Sequence, residues 1–291
     1  MNLKQLIFAV SLAFLTLSNS YGQGKKSSWF KAYLVADNVW RIDDNGADNM
    51  YLVAGKDTAM LIDNGLGVAN IRDFVKTLTS LPLIVIITHG HPDHAGGNYQ
   101  FKEVYIHPAD MKMASVYGNI PKGNDLEKMM TGGAKVPKKD IFNDTLNHQP
   151  TQLKPITDGY IFKLGDRDME VISVPGHTYG EVVLLDKQNK ILFTGDNNND
   201  LVWLHIPGTT PLETYLASLE KLNSRIDEFN ILMPGHGIPV ESSFIAEQIM
   251  CVKSILNGSC KSKDYTSFAG NGKICTYKRA TVAYNPDNLR E

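Results

Sequence analysis

Three histidines and one aspartate, His89, His91, Asp93 and His94, fall within six consecutive positions of the stretch ITHGHPDHAGGN, residues 87–98, in a chain with eight histidines in all. Imidazole nitrogen and carboxylate oxygen are the ligands that zinc and other borderline divalent cations accept. Burying such a set together without a cation would leave several polar groups unsatisfied. Three further breaks in the apolar pattern carry the same residue types: Pro175-Gly176-His177-Thr178, Thr194-Gly195-Asp196 and Pro234-Gly235-His236-Gly237. Glycine and proline beside each of these residues suit tight turns that aim a side chain outward from a strand end. His177 or Asp196 alone reads as an ordinary turn residue. The four segments together collect five histidines and two aspartates and read as a metal site.

The chemistry such a site performs follows from charge. Two divalent cations, two ionised aspartates and five neutral imidazoles leave a net positive centre. Water held between such cations loses a proton near neutral pH, since one zinc ion already brings bound water to a pKa of about 7. The resulting hydroxide attacks a carbonyl, phosphorus or sulfur centre, and no serine or cysteine nucleophile is needed.

Strand-like runs precede each of these breaks. Met50–Ala54 and Ala59–Ile62 flank the turn Gly55-Lys56-Asp57 and predict a hairpin. Ile71, Phe74, Val75 and Leu78 have the spacing of one helical face. Leu81–Thr88 is apolar on both alternating sets, as in a strand covered on both sides. Glu103–His107 reads as a strand, with a helix starting after Pro108. Residues 111–155 show no clean period and suit a lid or substrate-facing insertion. Ile161–Leu164, Met169–Val174, Val182–Leu185, Lys190–Thr194 and Asn230–Met233 read as strands. Thr210-Pro211-Leu212-Glu213 predicts a capping box opening a helix. Phe244–Leu256 reads as a helix ended by Asn257-Gly258, and the last thirty residues as a closing hairpin. Helices alternating with covered strands, with function at the strand ends, predict an α/β fold.

On these residues the chain resembles the metallo-β-lactamase superfamily over nearly all of its length after residue 22. The resemblance extends to Asn49–Val53, Leu61-Ile62-Asp63-Asn64-Gly65, Asp158-Gly159 and Gly165. It implies a four-layer αββα sandwich, two mixed sheets face to face with helices outside. It also implies that His89, His91 and His177 hold one metal, that Asp93, His94 and His236 hold the second, and that Asp196 bridges them. Asp93 would in addition orient the nucleophile. The aspartate at 196 is similar to that of glyoxalase II, lactonase and phosphodiesterase relatives, whereas true β-lactamases generally carry cysteine or serine there. The strand-rich tail departs from the helical C-terminal domain of glyoxalase II.

Composition bounds the partners. The chain has 291 residues, 43% apolar and 21% charged, with a formal charge of −2. That balance offers no basic stripe for nucleic acid. Leu6–Leu17 is an apolar run too short to span a bilayer, with Ser20 and Gly22 placed for cleavage before Gln23. It predicts a signal peptide over residues 1–22, one domain over residues 23–291, and a periplasmic or secreted protein without stable membrane association; a retained anchor is the alternative. Export lets one disulfide form among Cys251, Cys260 and Cys275, with Cys260–Cys275 the first pair to try and three free thiols the alternative. His205 follows Asp196 closely and is a candidate substrate contact, with Trp203 and Tyr179 as candidate cleft residues. His107 reads as structural, and His148 has no evident partner.

The expectation is therefore an exported metal-dependent hydrolase with two zinc ions, iron or manganese being open. Its substrate would be a small ester, thioester, lactone or similar molecule. Alternatives are a class B-type β-lactamase, a mononuclear iron persulfide dioxygenase on the same fold, and a binding protein without activity.

Overall fold

A computed structural model describes residues 25–118, 125–138, 141 and 151–291. The expected signal segment and His148 lie outside the described residues. The first sheet runs in sequence order: β1 (Lys31–Ala36), β2 (Val39–Asp43), β3 (Asn49–Ala54), β4 (Ala59–Ile62), β5 (Leu83–Ile86), β6 (Glu103–Ile106) and β7 (Gln152–Pro155). It is antiparallel up to β4 and parallel beyond it. The second sheet comprises β8 (Ile161–Lys163), β9 (Asp168–Ser173), β10 (Val182–Asp186), β11 (Ile191–Gly195), β13 (Ile231–Pro234) and β14 (Val240–Glu241), in the order β14-β13-β11-β10-β9-β8. Its one parallel pair is β11 with β13. The closing segment forms β15 (Lys263–Ser267), β16 (Gly270–Tyr277) and β17 (Ala280–Tyr284), and β12 (Leu201–Leu204) joins β17 to make a third, four-stranded sheet.

The layers follow from alternation. On β3, Tyr51 and Val53 face the space between the first two sheets, and Met50 and Leu52 face the opposite way. On β10, Val182 and Leu184 enter the same space, while Val183 and Leu185 point to the other face. Both sheets are thus covered on both sides, which explains their nearly continuous apolar strands. Phe74 and Val75 of α1 (Ile71–Lys76) pack on the outer face of the first sheet. Helices α5 (Leu212–Asn223) and α6 (Phe244–Leu256) pack on the outer face of the second. This is the expected αββα arrangement. No helix among the described residues is long and apolar enough to cross a membrane.

Two local expectations need correction. The strand read over Leu81–Thr88 is shorter, because Thr88 leaves the ladder: its N–H donates to Asp63 Oδ1 at 2.7 Å and its carbonyl accepts from Val182 of the other sheet at 2.9 Å. The capping box does not form. The Thr210 hydroxyl turns away to the Gly176 carbonyl, and the first N–H groups of α5, on Leu212 and Glu213, donate to the carbonyls of Asn288 and Leu289. The end of the chain caps this helix, a partner invisible in a four-residue motif. The segment at 111–155 contains α3 (Met111–Tyr117), α4 (Asp125–Met130) and β7.

Candidate metal centre

Each expected ligand sits at the end of a buried strand. His89 and His91 follow β5, and Asp93 and His94 occupy the short helix α2 (Pro92–Ala95), where Pro92 takes the first position. His177 follows β9, Asp196 follows β11, and His236 follows β13. Three overlapping groups result: His89, His91 and His177; His89, His94 and Asp196; and Asp93, His94 and His236. Within each group the candidate donor atoms lie within 4.8 Å of one another. His91 Nδ1 faces His177 Nε2 at 2.9 Å. Asp196 Oδ2 lies 3.4 Å from the Nε2 atoms of both His177 and His236, and Asp196 Oδ1 lies 3.3 Å from His94 Nε2. Asp93 Oδ2 lies 3.3 Å from His236 Nε2. The carboxylate at 196 thus stands between the two sets.

Outer partners choose which nitrogen points inward. His94 Nδ1 donates to Asp63 Oδ2 at 2.9 Å, and His177 Nδ1 donates to the Trp203 carbonyl at 2.7 Å. The Thr88 hydroxyl lies 3.0 Å from Asp63 and 3.1 Å from His89 Nδ1, so it donates to the carboxylate and accepts from the imidazole. Nε2 of all three rings is thereby the nitrogen turned toward the centre. Asp63 performs this double task from a left-handed backbone, φ 62°, which strains a residue with a Cβ and marks the position as over-determined. Gly235 is needed for space: a Cβ there would lie 2.6 Å from Asp196 Oδ1 and 2.8 Å from His94 Cε1.

The residues fit a cation. His89 Nε2, His94 Nε2 and Asp196 Oδ1 are buried without a hydrogen-bond partner among the described residues. Such atoms are costly unless something positive satisfies them. Burial keeps His89 and His91 neutral at ordinary pH, with His91 held down to about 3. Burial opposes charge on His94 and His236 as well, but Asp196 and the other carboxylates outweigh it and raise both. Burial alone would raise Asp93 and Asp196, yet His94 and His236 hold both below the usual carboxylate range. His89 and His91 thus offer neutral imidazoles and Asp93 and Asp196 ionised carboxylates, while His94 and His236 are held toward the protonated form and would give up a proton to a metal.

Two acids that the sequence reading missed brace this arrangement. Glu181 is fully buried, and its Oε1 accepts the Asp196 N–H at 2.9 Å. Asp110, just before α3, accepts from the N–H groups of Gly90 and Gly180, both at 2.9 Å. Both look unremarkable in sequence; only the fold brings them behind the ligands.

His91, Asp93, His177, Asp196 and His236 floor a cleft of about 840 Å³, walled in part by Tyr117, Met129, Met130, Trp203 and Phe268. Trp203 thus lines the cleft as a candidate, whereas Tyr179 does not figure in its lining. His205 is buried behind this wall, its Nε2 2.8 Å from Ser267 Oγ and its ring edge-on to Trp203 and Tyr265. His107 accepts the Ala109 N–H, a local helix-start role.

With fold and centre described, the family is clear. The family model described as "Metallo-beta-lactamase superfamily" matches residues 43–236. The chain belongs to that superfamily, and it is a metal-dependent hydrolase. It is 28% identical over 233 residues to the acyl-coenzyme A thioesterase MBLAC2 of Homo sapiens, covering 72% of this chain and 81% of the relative. It is 24% identical to the atrochrysone carboxyl ACP thioesterase dmxR1 of Cryptosporiopsis sp., covering 83% of this chain and 67% of the relative. Among solved structures, the DIM-1 metallo-beta-lactamase exposed to ceftazidime superposes with a TM-score of 0.57 at 17% identity, covering 79% of this chain and 99% of that one. That likeness concerns the fold.

Proposed function

We propose that the protein is an exported, dinuclear zinc hydrolase of acyl thioesters. The observation that carries this reading is Asp196, whose two carboxylate oxygens reach toward His177, His94 and His236 at 3.3–3.4 Å on the floor of an open cleft. His89, His91 and His177 would hold one ion, Asp93, His94 and His236 the other, and Asp196 both. Bound there, divalent ions acidify water and polarise the substrate carbonyl. The chain's own residues do the rest: Asp93 orients the attacking water, and the cleft positions the acyl carbon. The water oxygen joins that carbon, the C–S bond breaks, and the protons divide between the acid and the departing thiol. The thioester choice draws support from the two relatives named as thioesterases. Zinc fits an all-nitrogen-and-oxygen set with nitrogen predominating.

Export is part of the same proposal. It draws support from the apolar run Leu6–Leu17 and from the disulfide between Cys260 and Cys275, since disulfides persist in oxidising compartments. Cys251 remains a buried free thiol.

The test is turnover of a panel of thioesters, esters and lactones by the zinc-loaded protein, with His91→Ala and Asp196→Ala alongside. Thioesters should be the best substrates, and each variant should lose at least about 100-fold in kcat/KM, because losing an outer partner alone already costs 10–100-fold. Undiminished turnover in both variants would overturn the reading.

A further inference from the structure

The cleft above the metal centre presents exposed apolar groups that the fold itself does not use. Phe268 is 57% exposed and Met129 49% exposed, yet both line the same cleft as the ligands. Phe268 stands at the tip of the β15–β16 hairpin, one ring centroid 5.4 Å from Trp203. The tip is held in place from behind. Ser267 Oγ accepts the Ala269 N–H at 3.1 Å and meets His205 Nε2 at 2.8 Å, and the His205 ring packs edge-on to Trp203. Gly272 lets His205 in, since a Cβ there would lie 2.7 Å from His205 Cβ. These contacts hold the hairpin tip that carries Phe268, whose side chain is largely exposed.

Charge points the same way. Among the described residues lining the cleft there is no lysine or arginine, and Asp200 adds a carboxylate. Among the described lining residues, a phosphate or carboxylate of a substrate would find no side-chain cation beyond the metal centre. The volume of about 840 Å³ lies in the range of roughly 300–1,000 Å³ usual for small-molecule pockets and far exceeds the needs of an acetyl group.

We propose that Phe268, Trp203, Met129 and Met130 form an acyl subsite that selects the uncharged hydrocarbon chain of a medium-chain thioester, while the thiol half is not selected through phosphates. The inference rests on the thioester reading of the same centre.

The experiment compares kcat/KM for acetyl, hexanoyl and decanoyl N-acetylcysteamine thioesters and for decanoyl-coenzyme A. Each methylene buried should raise kcat/KM about fourfold until the subsite is filled. Decanoyl should exceed acetyl by at least about 100-fold on that scale. Phe268→Ala should lower this ratio about tenfold and Phe268→Leu should restore most of it. The two decanoyl thioesters should agree within about threefold, at low and at high salt, because no lysine or arginine among the described lining residues distinguishes them. A ratio near one in the wild type, a ratio unaffected by Phe268→Ala, or a salt-sensitive preference for the coenzyme A thioester would overturn the subsite. Binding of N-decylacetamide, uncharged and inert to thioesterases, read by tryptophan fluorescence, separates the two claims. If no thioester turns over but this probe binds and Phe268→Ala weakens it, the thioester reading falls and the subsite stands. If thioesters turn over without regard to chain length and the probe does not bind, the subsite falls and the hydrolase stands.

Discussion

Asp110 and Thr178 are joined by a buried 2.7 Å hydrogen bond that links the turn before α3 to the residue beside the candidate ligand His177. The same carboxylate accepts the N–H of Gly90, which lies between His89 and His91. One side chain thus ties together two loops, one from each sheet, whose histidines His89, His91 and His177 form one candidate metal set. Gly180 completes the fit, because a Cβ there would lie 2.6 Å from the Asp110 carboxylate.

Asp110→Ala should therefore weaken metal binding at the His89, His91 and His177 set by about 10–100-fold. It should also destabilise the metal-free protein by about 1–3 kcal/mol for each donor left unpaired. Chelator competition reads the first effect and chemical denaturation the second. A loss of stability with unchanged metal affinity would reduce Asp110 to a purely structural residue.

Asp63→Ala removes the partner that aims His94 and, through Thr88, His89. Each metal set contains one of these rings, so both stoichiometric equivalents should bind more weakly, by about 10–100-fold. Thr88→Val should act in the same direction and less strongly, since it spares the direct bond between Asp63 and His94. If Asp63→Ala bound both equivalents as tightly as the wild type, the tautomer assignment would be wrong.

Metal binding should tighten as pH rises through the neutral range. The carboxylates raise His94 and His236 against the effect of burial, so in the metal-free protein both carry protons below their raised pKa values. A cation must displace those protons; lowering the pH therefore weakens binding, and raising it removes the competition. Titration calorimetry in buffers of different ionisation enthalpy should register proton release on binding. Affinity independent of pH, with no proton release, would contradict the assignment of these two histidines as ligands.

Cys260 and Cys275 are bonded across a separation of 15 residues, stapling the turn after α6 to β16, the strand that leads from the Phe268 tip. Closing a loop of that length is worth about 3 kcal/mol in the chain-entropy account. Cys260→Ser should lower the melting temperature, and a reductant should do the same to the wild type but not to the variant. Identical melting with and without reductant in both proteins would show that the bond contributes nothing.

The residues that cluster at the candidate centre were legible in sequence because their chemistry is local: histidine and aspartate beside glycine and proline, each after an apolar run, stand out without a fold. The two sheets were legible for a similar reason, since strands such as β10 and β11, buried on both faces, read as short continuous apolar runs bounded by turn residues. What escaped is what depends on contacts distant in sequence. Asp110 follows a proline and reads as a helix-start residue until the fold carries it to Gly90 and Thr178. The Thr210 capping box failed because Asn288 and Leu289 reach the helix end first. Phe268 reads as a hairpin residue, and its place in the cleft depends on β12 pairing with β17 and bringing Trp203 beside it. His205 drew notice through proximity to Asp196 in sequence, but pairing turned its ring to Ser267.

Metal content per chain tests the central claim most directly, measured by plasma mass spectrometry on protein purified without added metal or chelator. The account predicts about two zinc ions per chain in the wild type and about one in His91→Ala, with thioester hydrolysis lost on chelation and restored by zinc. One iron per chain, or full thioester turnover by protein stripped of metal, would contradict it.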